Sequence, residues 1–215
     1  MKKTSFLLIV LVAFTLVWPG SAQADVYKNY QQLKAKQDRN VDYRIRYHDG
    51  PSSTIVIAIH GGSIEFGTSQ LAREVANRAN SDWYTFEGLK KRNNGVLHIT
   101  SSRFNEPTCR SLVAKSRKTL SIHGCTGSSK FTYVGGRDKQ LAAKVRSELK
   151  KAGFRIGTGP SHLSGNGKYN ICNRNKINKG VQLEISRAQR NAFFSGGKRT
   201  TTFYRYAAAL AKALD

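Results

Sequence analysis

Apolar and polar positions along this chain switch repeatedly between a two-residue and a three-to-four-residue period, which predicts strands alternating with helices. After an early helical segment over residues 28–37, residues 43–47 alternate as a half-buried strand and end at the turn His48-Asp49-Gly50-Pro51. Residues 54–59 (TIVIAI) form a continuous β-branched run, as a strand buried on both faces requires. Residues 69–79 place Leu71, Val75 and Ala76 on one side and arginines on the other, which predicts a helix. Further strands are expected over 96–101 (VLHITS), 118–122 (KTLSI), 131–134, 154–156 and 181–185 (VQLEI). A short helix follows Pro107. Residues 141–151 form an amphipathic helix that stops at Gly153, a residue suited to a left-handed C-terminal cap. A short helix over 188–194 and a closing helix over 201–214 complete the series, and 157–180 is a long loop rich in Gly, Asn and Lys. This order predicts a three-layer α/β/α fold with a mixed, largely parallel central sheet. In such sheets the site lies beyond the carboxyl ends of the strands.

The beginning of the chain stands outside that pattern. A basic start (Lys2, Lys3), an apolar run over 6–18, a Pro19-Gly20 break and Ala22-Gln23-Ala24 together have the form of a signal peptide cleaved before Asp25. The expected division is therefore a signal peptide over 1–24 and a single catalytic domain over 25–215. The mature product is expected to be a secreted monomer with no stable membrane association.

Charge narrows the partner. The 215 residues carry 36 Lys and Arg against 13 Asp and Glu, and the net +23 falls to +21 once Lys2 and Lys3 are removed. Such a balance favours an anionic partner: a nucleic acid, a wall polymer, a polycarboxylate or a membrane surface. Three cysteines (Cys109, Cys125, Cys172) in an oxidising compartment suggest one disulfide and one free thiol. A Cys125–Cys172 bridge would brace the long loop, with Cys109 an equal partner on sequence alone.

Candidate chemistry gathers at the strand ends. His60 directly follows TIVIAI, His123 directly follows KTLSI, and Glu65 lies five residues after His60 in a glycine-bearing turn. Two histidines and a carboxylate are the ligand set of a catalytic zinc that keeps one position open. Glu184 lies inside the apolar run VQLEI, where a carboxylate is costly unless paired or employed. It is the candidate general base, pairing with Arg187 being the plain alternative. His98 reads as a packing residue within its strand.

Several blocks occur in order: His60-Gly-Gly-Ser-Ile-Glu65-Phe-Gly-Thr68, Ile99-Thr-Ser, Phe104-Asn-Glu-Pro107, Ser121-Ile-His-Gly-Cys125, Val134-Gly-Gly-Arg-Asp138, Asn170-Ile-Cys-Asn-Arg174 and Gly180-Val-Gln-Leu-Glu-Ile-Ser186. Together they resemble the poly-γ-glutamate hydrolase family. The resemblance implies a carboxypeptidase-like fold, one zinc held by His60, Glu65 and His123, hydrolysis of γ-glutamyl amide bonds, and Glu184 as the base that takes a proton from the attacking water. Arg174 is the choice for the oxyanion or substrate-carboxylate contact, because a guanidinium grips carboxylates bidentately. Asn170, Asn173 and Arg187 are candidates for orienting substrate. The expected partner is then poly-γ-glutamate rather than a specific nucleic acid, in a groove to which Arg103, Lys168, Lys176, Lys179 and Arg190 could add charge. A zinc amidase acting on peptidoglycan and a secreted basic polyanion-binding protein without catalysis are the alternatives.

Overall fold

The computed structural model describes residues 25–215; the expected signal peptide, 1–24, lies outside the described residues. Among the described residues no helix is long and apolar enough to cross a membrane.

Strands β1 (Tyr43–His48), β2 (Thr54–Gly62), β3 (Asp82–Gly88), β4 (Lys118–Cys125), β5 (Thr132–Gly136), β6 (Ile156–Gly157) and β7 (Val181–Ser186) form one seven-stranded sheet in the order β1-β3-β2-β4-β7-β5-β6. The central run β3-β2-β4-β7 is parallel, and β1 and β5 pair antiparallel at its two sides. The helices are α1 (Tyr30–Lys34), α2 (Thr68–Arg78), α3 (Pro107–Lys115), α4 (Lys139–Lys151), α5 (Arg187–Asn191) and α6 (Thr201–Leu214). A small hairpin, β8 (Phe194–Ser195) with β9 (Lys198–Arg199), joins the last two helices.

Strand alternation divides the core into two clusters. Val56, Ala58, Leu120, Ile122, Leu183 and Ile185 face the apolar sides of α2, α4 and α6. Ile55, Ile57, Ile59, Tyr84 and Phe86 face the other way, toward α1, α3 and Ile171 of the long loop. The result is the expected α/β layering, with one layer made of long helices and the other of short helices and loops. Local chemistry fixes the helix ends. The Asp138 carboxylate accepts from the Leu141 N–H, Glu106 accepts from Thr108 and Cys109 ahead of Pro107-led α3, and Gly153 takes φ +79° where α4 stops.

The sheet departs from the sequence expectation at two places. Residues 96–101 do not form a strand; Asn94–Leu97 is a 3₁₀ turn, and the extended residues after it are held by side chains and loop backbone. Ile99 O accepts from His60 Nε2, Thr100 N–H donates to Asp25, and Ser101 O accepts from Ile171 N–H. The strand that fills the sheet position is β3, whose polar residues hid it. Glu87 is buried on β3, where it accepts from Arg44 at 2.7 Å, Arg73 at 3.0 Å and Thr85 at 2.9 Å. Asp82, also buried, accepts from Gly50 N–H at 2.7 Å. In addition, β2 and β4 run on through His60 and His123 instead of ending before them.

Gly136 closes β5 at φ +98°, and a Cβ there would lie 2.2 Å from Gly180 O. Left-handed strain and overpacking each cost about 1–3 kcal/mol, so Gly136→Ala is expected to lower unfolding stability by about 3 kcal/mol. A shift of the urea midpoint toward lower denaturant at unchanged slope measures it.

Candidate metal centre

A β-bulge sets up the site. Between Ala58 and Gly61 the register of β2 against β3 shifts by one residue. Strict alternation would aim His60 at the α2 side with Val56 and Ala58; past the irregularity it instead meets Ile99 and His123 on the opposite face. Bulges commonly re-aim a side chain in this way. His123 arrives there by plain alternation, two residues after Ser121. Glu65 is carried by the β2–α2 turn, where Gly67 takes φ +93°.

The donor atoms of three residues converge. His60 Nδ1 lies 3.0 Å from Glu65 Oε1 and 3.1 Å from His123 Nδ1, and His123 Nδ1 lies 3.9 Å from Glu65 Oε2. Tetrahedral zinc with bonds of about 2.0–2.1 Å separates its ligands by roughly 3.3 Å, so the set brackets the required edges. The other nitrogen of each ring is engaged: His60 Nε2 with Ile99 O at 2.9 Å, and His123 Nε2 with Ser121 Oγ at 2.8 Å. Such outer contacts orient the rings and aim the other nitrogen inward, and the Ile99 carbonyl requires His60 to donate from Nε2. Because His60 donates from Nε2, loss of the Nδ1 proton leaves a lone pair facing His123 Nδ1 and Glu65 Oε1, where a cation can take the proton's place. The donor set therefore fits a divalent metal.

His98 stands beside this group and not in a strand. Its ring centroid is 4.0 Å from that of His60, and His60, Glu65 and His98 each offer an atom within 4.8 Å of the others. Its Nδ1 is bonded to Asp25 at 2.7 Å. His123 makes the tighter triplet with His60 and Glu65, while His98 borders it, part-exposed. Neither Asp25 nor the place of His98 was legible beforehand; the only signal was that His98, like His60 and His123, falls in a β-branched run.

The electrostatics follow from crowding. Burial pushes the Glu65 carboxyl up, but the His60 charge and its hydrogen bond outweigh this and, with His123 and the Gly124 N–H at 2.7 Å, hold it at about 2. Burial pushes His60 down, and the Glu65 charge overrides it, so His60 is raised above 6.5. Burial and then the His60 charge depress His123 to about 3. The His60 charge and then burial lower His98. Glu184, paired in register with His123 on β7, is raised well above the usual range by burial and then by the charge of Glu65. A cation at the centre would oppose the second of these causes.

The remaining expected site residues lie elsewhere. Asn173 is buried and spends its amide on backbone: it accepts from Gly180 and Arg137 N–H and donates to Gly165 and Gly167 O. Asn170 accepts from Cys172 N–H and donates to Gln182, which in turn donates to Glu184 at 2.8 Å. Both asparagines organise the loop instead of presenting amides to a substrate. Arg174 is not brought to Glu184. The adjoining Asn173 and Asn175 are bonded at the beginnings of β7 and β4, and His123 is roughly 13 Å further along β4 than Thr119, at about 3.3 Å per residue. Arg174 instead lines an open pocket of about 630 Å³ with Arg110, Arg137, Lys168, Tyr169 and Asn178. Arg187 is exposed at the start of α5.

The Cys125–Cys172 bridge is not made; all three cysteines are free thiols. Cys172 O packs against Gly180 beside Thr119 O, whereas Cys125 ends β4 roughly 20 Å away along the strand. A disulfide needs Cα atoms within about 7 Å.

A family model described as poly-gamma-glutamate hydrolase matches residues 27–212. The SPbeta prophage-derived UPF0714 protein YoqZ of Bacillus subtilis is 39% identical over 223 residues, covering 99% of this chain and 80% of YoqZ. A solved bacteriophage poly-gamma-glutamate hydrolase superposes with a TM-score of 0.84 at 34% identity, covering 88% of this chain and 96% of its own. YndL, solved in an apo, zinc-free form, gives 0.83 at 34% identity, covering 89% and 98%.

The His60–Glu65 pair makes two pH dependences run in opposite directions. Glu65, depressed, contributes stability to the metal-free fold above about pH 4.5 and loses it as pH falls toward 2. His60, raised, contributes below 6.5 and loses that contribution as pH rises through its elevated value. Metal must displace the His60 proton. Between about pH 6 and about pH 8, zinc affinity measured by calorimetric titration is therefore expected to climb while the metal-free thermal midpoint falls.

Proposed function

This chain belongs to the poly-gamma-glutamate hydrolase family and is a hydrolase, and we propose that it is an exported, monomeric zinc enzyme that cleaves the γ-glutamyl amide bonds of poly-γ-glutamate. The convergence of Glu65 Oε1 and His123 Nδ1 on His60 Nδ1, at 3.0 and 3.1 Å, carries the reading. The zinc-free form of YndL supports it from a relative. Zinc held by these three residues would supply a Lewis acid that polarises both the amide carbonyl and the attacking water.

The chain's own groups do the rest. Glu184 stands beside His123 on the adjacent strand, with its carboxylate oriented by Gln182 and, behind that, Asn170. In the proposed reaction it takes the proton of the attacking water and returns it to the leaving amine, as a general base and then acid. His98, held by Asp25, closes the neighbouring side. The polymer carries a free carboxylate on every residue, and the pocket lined by Arg110, Arg137, Lys168 and Arg174 offers cations of matching chemistry away from the scissile bond.

Incubation with poly-γ-glutamate is expected to shorten the polymer, a chelator to abolish this, and added zinc to restore it. Intact polymer with zinc bound would instead point to a peptidoglycan amide. Glu184→Gln is expected to retain zinc and lose activity by a factor of about 10² or more, the usual range for a proton-transfer group. Loss of zinc along with activity would contradict the role given to Glu184. The double change Arg137→Glu with Arg174→Glu is expected to raise KM for long polymer while leaving kcat on a short γ-glutamyl oligomer in place; equal KM on long polymer would remove the pocket from the binding path.

A further inference from the structure

Arg190, on α5, is only 7% exposed, and among the described residues no carboxylate lies within ion-pair distance of it. Its charge is met by three backbone carbonyls. Nε donates to Ile185 O at 3.1 Å, Nη1 to Phe66 O at 2.8 Å and Nη2 to Cys125 O at 3.4 Å. These carbonyls belong to three separate segments. Ile185 follows Glu184 on β7, Phe66 follows Glu65 in the β2–α2 turn, and Cys125 lies two residues past His123 at the end of β4.

Gly124 completes the geometry. Its N–H donates to Glu65 Oε2 at 2.7 Å, and a Cβ on it would fall 2.5 Å from the guanidinium carbon of Arg190. The residue after His123 thus holds the Glu65 carboxylate with its nitrogen and leaves room for the guanidinium at its α-carbon. We infer that Arg190 is a positioning residue, a clip that ties together the backbone segments carrying Glu65, His123 and Glu184 and so fixes the spacing of metal ligands and base. It touches neither the donor atoms nor a substrate. A planar guanidinium suits this task because its donors point outward in several fixed directions, whereas an ammonium is a compact charge on a flexible stem. The inference rests on reading His60, Glu65 and His123 as a metal centre.

The test uses the full mature chain with Arg190→Met, Arg190→Lys and Arg190→Ala. Each is measured for zinc affinity by competition with a chromophoric chelator, for the visible absorption of its cobalt(II) form, and for thermal midpoint. Zinc affinity in Arg190→Met is expected to fall about 10–100-fold, the size of outer-contact effects on metal sites, with a shifted cobalt spectrum. Arg190→Lys is expected to recover little of either. Guanidinium ion added at low concentration to Arg190→Ala is expected to restore affinity, as filling the emptied space should. If these variants do not fold, Gly124→Ala strikes the same clip with Arg190 retained and is expected to shift the cobalt spectrum likewise. Unchanged zinc affinity and cobalt spectrum in any folded Arg190 variant, with only the thermal midpoint lowered, would make Arg190 a fold-stabilising residue and overturn the inference. The wild-type chain is the control: its failure to bind zinc would overturn the reading of the centre and the inference with it, and is distinguishable because no variant is needed to see it.

Discussion

Two buried imidazole nitrogens face each other across 3.1 Å, with a carboxylate oxygen 3.0 Å from one of them. Without a positive charge in their midst such donors repel, and burial removes the water that would otherwise screen them. Much of the surrounding structure holds this crowding in place. The bulge in β2 turns His60 toward it, the parallel register of β4 and β7 sets His123 beside Glu184, and the glycine-bearing turn after β2 lets Glu65 fold back. The protonation pattern follows: the charge on His60 and then burial lower His98, while burial first and then the His60 charge lower His123.

The sheet provides the rigidity that such a centre requires. Its four parallel strands are buried on both faces, and the segments around their carboxyl ends are tied together by side chains. His60 reaches Ile99 O, Ser121 reaches His123, Asp25 reaches Thr100 N–H, and Arg190 gathers three carbonyls at once. Residues 98–101 belong to no ladder because side chains and loop backbone, and not a neighbouring strand, satisfy their backbone.

That same fact explains what the amino-acid sequence could and could not reveal. TIVIAI, KTLSI and VQLEI announce themselves as strands because the hydrophobic pattern is undiluted, and His60, Glu65, His123 and Glu184 are legible as chemistry because they interrupt or end such runs. The segment VLHITS carries the same pattern and is not a strand, since pattern reports burial and not the identity of the hydrogen-bond partner. The opposite error hides β3, where Thr85 and Glu87 sit on a buried face and satisfy one another with Arg73 and Arg44. The places of Arg174 and Asn173 are hidden for a third reason: the long loop turns toward the beginnings of β4 and β7, and no local pattern encodes which end of the sheet a loop will cover. Arg190 was indistinguishable from many surface arginines until three carbonyls converged on it.

Four of the acidic residues of this chain lie in its interior. Asp82, Glu87, Glu106 and Glu184 are all buried, and the Glu65 side chain is only 14% exposed, out of 13 acids in the whole sequence. The outer surface is consequently more cationic than composition alone conveys, with few fixed anions of its own to neutralise it. Toward any long polyanion such a surface acts as an ion exchanger stripped of built-in counter-ions. Small mobile anions must occupy it in free solution; contact with a polyanion would release them, and ionic strength would then control how firmly the two hold together.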